Sequence, residues 1–509
     1  MNSSLFRAKS IDRLISDADL PDRRLKRTLG WLSLTLMGIG AIIGTGIFVL
    51  TGTAAAGEEV LQPSLLKAPL LDVLIHGTHA LSVHGRPGAG PGITLSFLLV
   101  ALVCAFAGLC YAELASMIPI AGSAYTYTYA TLGELIAWII GWDLILEYAV
   151  ADMAVSVGFS AYLNSLLESF GIHLPARLST PAYTPQAGWH ANFNIIGFIF
   201  VMVITVLLVL GIKESIRVNS VMVCVKLVAI SIFIIFASKY IHPAYYKPFL
   251  PHGWQGVLTG GAIVFFSYIG FDSVSTAAEE SNNPKKDVPL GILLSLGICA
   301  FLYVAVAAVL TGIRPWFTLN NAAPVANALQ QIGLNRLEFL VTVGALMGMF
   351  TAVLVYQLGQ ARIWFAMARD GLLPASFSKV HTRFRTPHVA TWMAGVFVAI
   401  PAGIFDIGTL ADLSNIGTLF AFMLVSIAVL VLRKRQPDRP RGFVVPFSPW
   451  VPLASVLFCF ILMASLTVEN WVRFVVWLLI GLVFYRFYGR RHSALAAPSE
   501  SAPGLQGRT

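Results

Sequence analysis

Lys226 is the residue whose setting most demands a chemical account. It stands nine residues into an apolar run, in the stretch Met222-Val-Cys-Val-Lys-Leu-Val-Ala229. In a helix, that depth is about 13 Å from Arg217 at the start of the run. A lysine near the centre of a bilayer costs at least about 2.5–3.5 kcal/mol unless it is hydrated or paired. Its stem is too short to return the ammonium fully to the interface from there. Two readings follow: a structural pair with nearby acceptors, or a group that loads and releases a proton. In the second, Lys226 is the proton carrier, standing where a coupling sodium ion would otherwise sit.

Five carboxylates also fall within or close to apolar runs: Glu113, Asp143, Glu147, Asp152 and Asp272. Asp272, next to Phe271, is expected either to steady an interrupted helix or to take part in proton movement. Glu147 and Asp152 share one run and are candidates to face a water-filled cavity. Structural hydrogen bonding between helices is the alternative for each. Arg362 lies within one or two turns of the end of its run and is expected to reach the interface. The five cysteines all sit in apolar runs without a C-x-x-C pair, which points to packing rather than metal or disulfide chemistry. His76, His79 and His84 are irregularly spaced, as in a solvated outer loop rather than a metal site.

Backbone chemistry is written in two glycine-interrupted runs. The first reads Gly38-Ile-Gly-Ala-Ile-Ile-Gly-Thr-Gly-Ile-Phe48. Its glycines let the chain leave helical dihedrals, although Gly40 and Gly44 also have the spacing of a close helix contact. The second reads Gly260-Gly-Ala-Ile-Val-Phe-Phe-Ser-Tyr-Ile-Gly-Phe-Asp272, with a break expected at Ser267–Gly270. Interrupted spans at corresponding places in two halves point to a mid-membrane binding site. Unwound backbone is tolerated at that depth only where it lines a cavity or is buried in protein. Freed N–H groups at Gly44, Thr45 and Gly46 would favour an anion at a half-helix N-terminus. Freed carbonyls near Ile42, Phe266, Ser267 and Ile269 would accept from an ammonium. A ligand with both groups on one carbon is an α-amino acid.

The elements that hold these residues follow from composition. The chain has 509 residues, 57% hydrophobic and 12% charged, with a mean hydropathy of +0.76. A soluble domain carries about twice that charge. A polytopic all-α membrane protein is expected, and the net charge of +9 belongs to its loops rather than to nucleic-acid binding. Apolar runs long enough for membrane helices lie near 30–53, 93–117, 131–166, 192–212, 218–238, 257–277, 289–312, 338–367, 388–406, 408–432, 450–467 and 471–487. The short break at Phe405–Gly408 makes the ninth and tenth the hardest to separate. Of the 34 lysines and arginines, 24 fall on the side of both termini and eight on the other. That bias places both termini in the cytoplasm.

The expected organisation is a cytoplasmic segment 1–28, a first five-helix repeat 29–240 with a long outer loop 54–92, and a second repeat 257–432. A basic cytoplasmic loop 433–449, two further helices over 450–488 and a disordered cytoplasmic tail 489–509 complete it. Helices one and six are the broken pair, and five helices per repeat imply inverted topology.

Several separated motifs resemble one family. They are Arg24–Phe48 with its glycines, Phe266-Ser-Tyr-Ile-Gly-Phe-Asp-Ser-Val-Ser-Thr-Ala-Ala-Glu-Glu280, Asn283-Pro284, and Ala366-Met-Ala-Arg-Asp-Gly-Leu-Leu-Pro374. In this order they resemble the amino acid–polyamine–organocation (APC) superfamily, and within it the bacterial cationic-amino-acid-transporter-like permeases. The resemblance, over roughly residues 25–490, implies the five-plus-five inverted-repeat (LeuT-like) fold with helices eleven and twelve outside it. It implies that Ile43, Gly44, Thr45 and Gly46 hold the substrate carboxylate, and Ile42, Phe266, Ser267 and Ile269 the amino group. Phe266 would also close over the substrate from outside. Lys226 falls on the family's proton-site lysine. Tyr356 falls where a bulky residue favours small neutral substrates over long cationic ones.

The functional expectation is a secondary active importer of a small or medium neutral α-amino acid, by proton-coupled symport with alternating access. An amino acid exchanger without proton coupling is the alternative, and an amino acid sensor on a transporter fold is a third. Enzymatic motifs such as H-E-x-x-H and G-x-S-x-G are absent, as is a nucleotide-binding G-x-x-x-x-G-K-[ST]. No cofactor is expected beyond the proton, and the partners are free amino acid and membrane lipid, with no nucleic acid or nucleotide. Oligomeric state is open, and the expected location is the cell (inner) membrane.

Overall fold

The structure, a computed structural model, describes residues 8–18, 29–59, 64–77, 85–120, 122–184, 188–210, 215–321, 323–384 and 386–493. The basic cluster at 23–27, His79, His84 and residues 494–509 of the expected tail lie outside the described residues. A helix stands over each of the twelve apolar runs. Eight are long and apolar enough to cross a membrane, and the bent pair Trp31–Ile42 and Gly46–Ala56 makes a ninth. Three more, Ile195–Leu210, His388–Ile404 and Trp450–Ala464, are apolar but shorter.

Burial sorts these helices into centre and rim. The most apolar stretch of Gly253–Thr276 is 94% buried and that of Glu134–Ser169 is 83% buried, against 22% for Val468–His492. The broken helix and the 36-residue helix are therefore central, and the last helix is peripheral. It is fixed to Glu134–Ser169 by two tryptophans that exchange hydrogen bonds. Trp142 Nε1 donates to Trp477 O at 2.9 Å, and Trp477 Nε1 donates to Trp142 O at 3.1 Å. Their rings stack with centroids 4.7 Å apart.

One boundary differs from expectation. The third long helix begins at Glu134, and a separate helix, Ser123–Thr131, precedes it. Gly133, at φ +101°, makes the turn between them. The short break between the ninth and tenth runs is real. Asp406 caps the Ile407–Arg435 helix, accepting from Gly408 N at 2.9 Å, Thr409 N at 3.3 Å and Thr409 Oγ1 at 2.6 Å.

The loop after the first broken helix is more structured than a solvated outer loop. Strand Gly57–Glu59 pairs antiparallel with Gly85–Pro87. Leu70 N donates to Leu466 O and Val468 N to Ala68 O, which docks the loop on the C-terminal helices. Arg86, only 5% exposed, reaches from this hairpin to Asp412, with Nη1 2.8 Å from Oδ1, and to Glu58, with Nη2 2.6 Å from Oε2. Asn470 donates to the same Asp412 at 3.2 Å. Burial works against the charge on Arg86, but Asp412 and Glu58 outweigh it and hold the guanidinium above its ordinary pKa.

Removing one member of a buried ion pair strands its partner, at a cost of about 3–5 kcal/mol. Arg86→Ala is expected to lower the melting temperature of the purified protein in detergent clearly. Glu469→Gln, which breaks the more exposed pair with Lys67 and Arg473, is expected to change it little. Equal shifts for the two variants would count against Arg86 as the tie between loop and bundle.

Candidate functional site

The two interruptions lie against each other. The Trp31–Ile42 helix ends at Ile43, which is extended at φ −79° and ψ 93°, and the chain resumes as Gly46–Ala56 at an angle of 42°. The Gly253–Val264 helix passes through the single turn Phe265–Tyr268, then Ile269 is extended and Gly270 takes φ +115°. A β-carbon on Gly46 would lie 2.5 Å from Ser267 Cα and 2.7 Å from its Cβ. One on Gly270 would lie 2.9 Å from both Ala41 Cβ and the Tyr356 hydroxyl. Glycine is needed at 46 for closeness and at 270 also for its backbone angle.

Lys226 is fully buried and ties the first break to its neighbours. Its Nζ donates to Gly40 O and Ile43 O, each at 2.9 Å, and to Thr351 Oγ1 at 3.2 Å. Helix carbonyls left without an intrahelical donor at the end of Trp31–Ile42 thus receive one from an ammonium. The structural-pairing geometry is present, and the same position puts a protonatable group on the backbone of the break.

Asp272 steadies the second break. It accepts from Gly270 N at 3.3 Å and from Tyr148 OH at 2.7 Å. Ser273 Oγ donates to Gly270 O. Tyr356, expected to size the pocket, donates to Ile269 O at 2.7 Å, and its ring meets Tyr148 edge-on at 5.9 Å.

Four backbone groups are not free as expected, the Ile269 carbonyl among them. Gly44 N turns back to Ile42 O at 3.1 Å, so Thr45 and Gly46 are left to start the outer half-helix. The Ile42 carbonyl also accepts from Tyr303 OH at 2.8 Å, which engages both of its lone pairs. Phe266 O already accepts from Ile269 N at 3.3 Å. Two side chains in the same place do lack partners among the described residues: Thr45 Oγ1 and Ser267 Oγ, both buried. Buried hydroxyls without partners mark where water or a ligand completes the set.

All nine residues expected to touch substrate are buried, and none of the seven that are not glycine exceeds 3% exposure. Near the end of its helix, Arg362 does not simply reach the interface: its Nη2 pairs with Glu280 Oε1 at 2.7 Å. Beside it, Leu29 N donates to Glu280 O and Asn282 N to Leu29 O. Glu113 is a structural anchor, paired with Arg433 and Arg441 and accepting from Val445 N at 2.7 Å. Tyr303, Tyr148, Thr351 and Glu280 were not singled out from the sequence. Only Glu280 sits inside a motif that flagged it.

The sequence profile of the amino acid permeases matches residues 29–485. The chain belongs to the amino acid permease family. It is a member of the APC superfamily, a multi-pass membrane protein and a transporter rather than an enzyme. This permease is 50% identical to the branched-chain amino acid permease BcaP of Bacillus subtilis over 97% of its own length and all of the relative's. It is 45% identical to the methylthioribose transporter of the same bacterium, covering 97% of the permease and 99% of the relative. The BcaP of Lactococcus lactis is 35% identical, with 96% and 99% covered.

Forcing a methyl group between the two breaks should separate them. Overpacking of about 1–3 kcal/mol corresponds to about a 5- to 150-fold loss in substrate binding. Gly46→Ala and Gly270→Ala are expected to lose that much uptake while still reaching the membrane. Gly297→Ala, with open space around it, is expected to keep wild-type uptake. Normal uptake by Gly46→Ala, read with membrane levels by immunoblot, would remove the contact between breaks from the working site.

Proposed function

We propose that this permease imports a small or medium neutral α-amino acid by proton-coupled symport with alternating access. The single observation that carries the coupling is the Lys226 ammonium held on Gly40 O and Ile43 O of the broken helix. If the lysine loses its proton, the carbonyls are left with a neutral donor in place of a charged one. Protonation state and the shape of the site are then linked. Thr45 and Gly46 would hold the substrate carboxylate, with Ile43 and Gly44 beside them, the Gly44 amide being turned back to Ile42. Ser267 would face the amino group, with Phe266, Ile269 and Ile42, whose carbonyls already accept within the protein, around it. Tyr356 limits the room for a long side chain, and the two branched-chain permeases among the relatives support a neutral substrate.

The architecture that suits this reading has twelve spans, the first ten as two inverted repeats of five, with both termini in the cytoplasm of a cell (inner) membrane. The breaks in the first and sixth helices and the skew of basic residues support it. Asp272 either assists proton movement or only braces the second break.

Uptake of labelled amino acids into proteoliposomes, with and without an inward proton gradient, tests the reading. The panel holds alanine, valine, leucine, arginine and glutamate, together with methylthioribose. Neutral amino acids are expected to accumulate only with the gradient. Lys226→Ala is expected to reduce accumulation to the level seen without a gradient. Accumulation by that variant at the wild-type level would end the proton-carrier role. Flux that requires preloaded amino acid and ignores the gradient would make the permease an exchanger.

A further inference from the structure

The Glu134–Ser169 helix runs past both breaks, and its contacts show which face it turns toward them. Tyr148 meets Tyr356, whose hydroxyl caps Ile269. Seven residues on, Val155 Cγ2 lies 3.7 Å from where a β-carbon on Gly44 would be. Seven further, Tyr162 OH donates to Phe48 O at 2.8 Å, just beyond the first break. Positions 148, 155 and 162 form one stripe of a helix. Asp152 falls on that stripe, four residues after Tyr148 and three before Val155.

Asp152 is 0% exposed, and among the described residues neither of its carboxylate oxygens has a hydrogen-bond partner. Two other acids of this helix also have bare oxygens, both of Asp143 and Oε2 of Glu147. Asp143 points toward the Ile407–Arg435 helix instead: a β-carbon on Gly417 would lie 2.7 Å from its Oδ1. Glu147, one residue before Tyr148, falls off the stripe of positions 148, 155 and 162. Asp272, the acid of the second break, already holds Tyr148 and Gly270 N. An unpaired carboxylate at this depth is costly, so the group either keeps a proton of its own or takes a donor that the described residues do not supply. Two more buried polar groups in the same region, Thr45 Oγ1 and Ser267 Oγ, also lack partners. A methyl on Gly158 would collide with Thr45, which places Thr45 against this same helix.

We propose that Asp152 is a specificity-determining residue that accepts a hydrogen bond from the substrate's side chain. The site then prefers amino acids whose side chain carries a donor, a hydroxyl or an amino group, over hydrocarbons of equal size. The inference rests on the amino acid reading above and narrows it. It sets this permease apart from a carrier of purely aliphatic amino acids. A pocket built around a hydrogen bond discriminates strongly against an analogue that cannot make it, because the buried acceptor is left bare.

Threonine and valine have nearly the same shape and differ by one donor, so they form the deciding pair. The measurement is ligand-induced thermal stabilisation of the purified full-length wild type, followed by competition for uptake in proteoliposomes. The wild type is expected to favour threonine over valine by at least about tenfold. Asp152→Asn, which still accepts, should keep that order, and Asp152→Val should reverse it. A further arm with 2,4-diaminobutyrate separates an amino donor from a hydroxyl, and tighter binding of either than of valine supports the role. Equal binding of threonine and valine by the wild type overturns it without requiring any variant to fold. So does an Asp152→Val variant that changes only the dependence on the proton gradient and leaves the threonine-to-valine ratio intact. If no amino acid in the panel binds or moves, the amino acid reading itself fails, which is a different result.

Discussion

The ammonium of Lys226 on the backbone of a broken helix is the interaction around which the rest is arranged. A helix that stops inside a membrane exposes carbonyls that neither water nor lipid can satisfy. Here the first break is served by Lys226, Thr351 and Tyr303, drawn from three other helices. The second is served by Tyr356, Asp272 and Ser273. Each partner is a polar side chain that the membrane would otherwise exclude. The irregular backbone and the buried polar residues are therefore one requirement seen from two sides.

The residues of the site are buried in this conformation, and segments far apart in sequence are tied around it. Arg362 and Glu280 join two helices, and the backbone exchange between Leu29 and Glu280–Asn282 ties the approach to the first break to the end of the second. Elsewhere, Arg86 holds the loop hairpin to Asp412 and, through it, to Asn470. Both ties are ion pairs between segments far apart in sequence. Such pairs can be exchanged for hydrated partners at modest net cost, unlike an apolar interface of similar extent.

The glycine runs announced both breaks, and the depth of Lys226 in its run announced a buried cation, because sterics and solvation act residue by residue. The break at Phe405–Gly408 is too short to separate the ninth and tenth helices by length, and the Asp406 cap that does so is a finding of the structure. What could not be read was pairing between distant positions. A tyrosine in an apolar run, such as Tyr303 or Tyr356, has no directional signature, and its carbonyl partner is chosen only by the packing of helices. For the same reason Gly44 seemed to offer a free amide. The fold to the level of helices was legible, as was the neighbourhood of the site, while its hydrogen-bond assignments were not.

The apolar helix His388–Ile404 has 17 residues and lies beside Ile195–Leu210. Asn194 N donates to Gly403 O at 2.9 Å, and a methyl on Gly395 would collide with Thr205. At 1.5 Å per residue His388–Ile404 reaches only about 26 Å, against a hydrocarbon core of about 30 Å. At that helix the protein is thinner than the lipid it meets. The bilayer pinches there or the helix stands upright while longer ones tilt. Acyl-chain length then becomes a mechanical input, pressing on a helix that backs Glu134–Ser169.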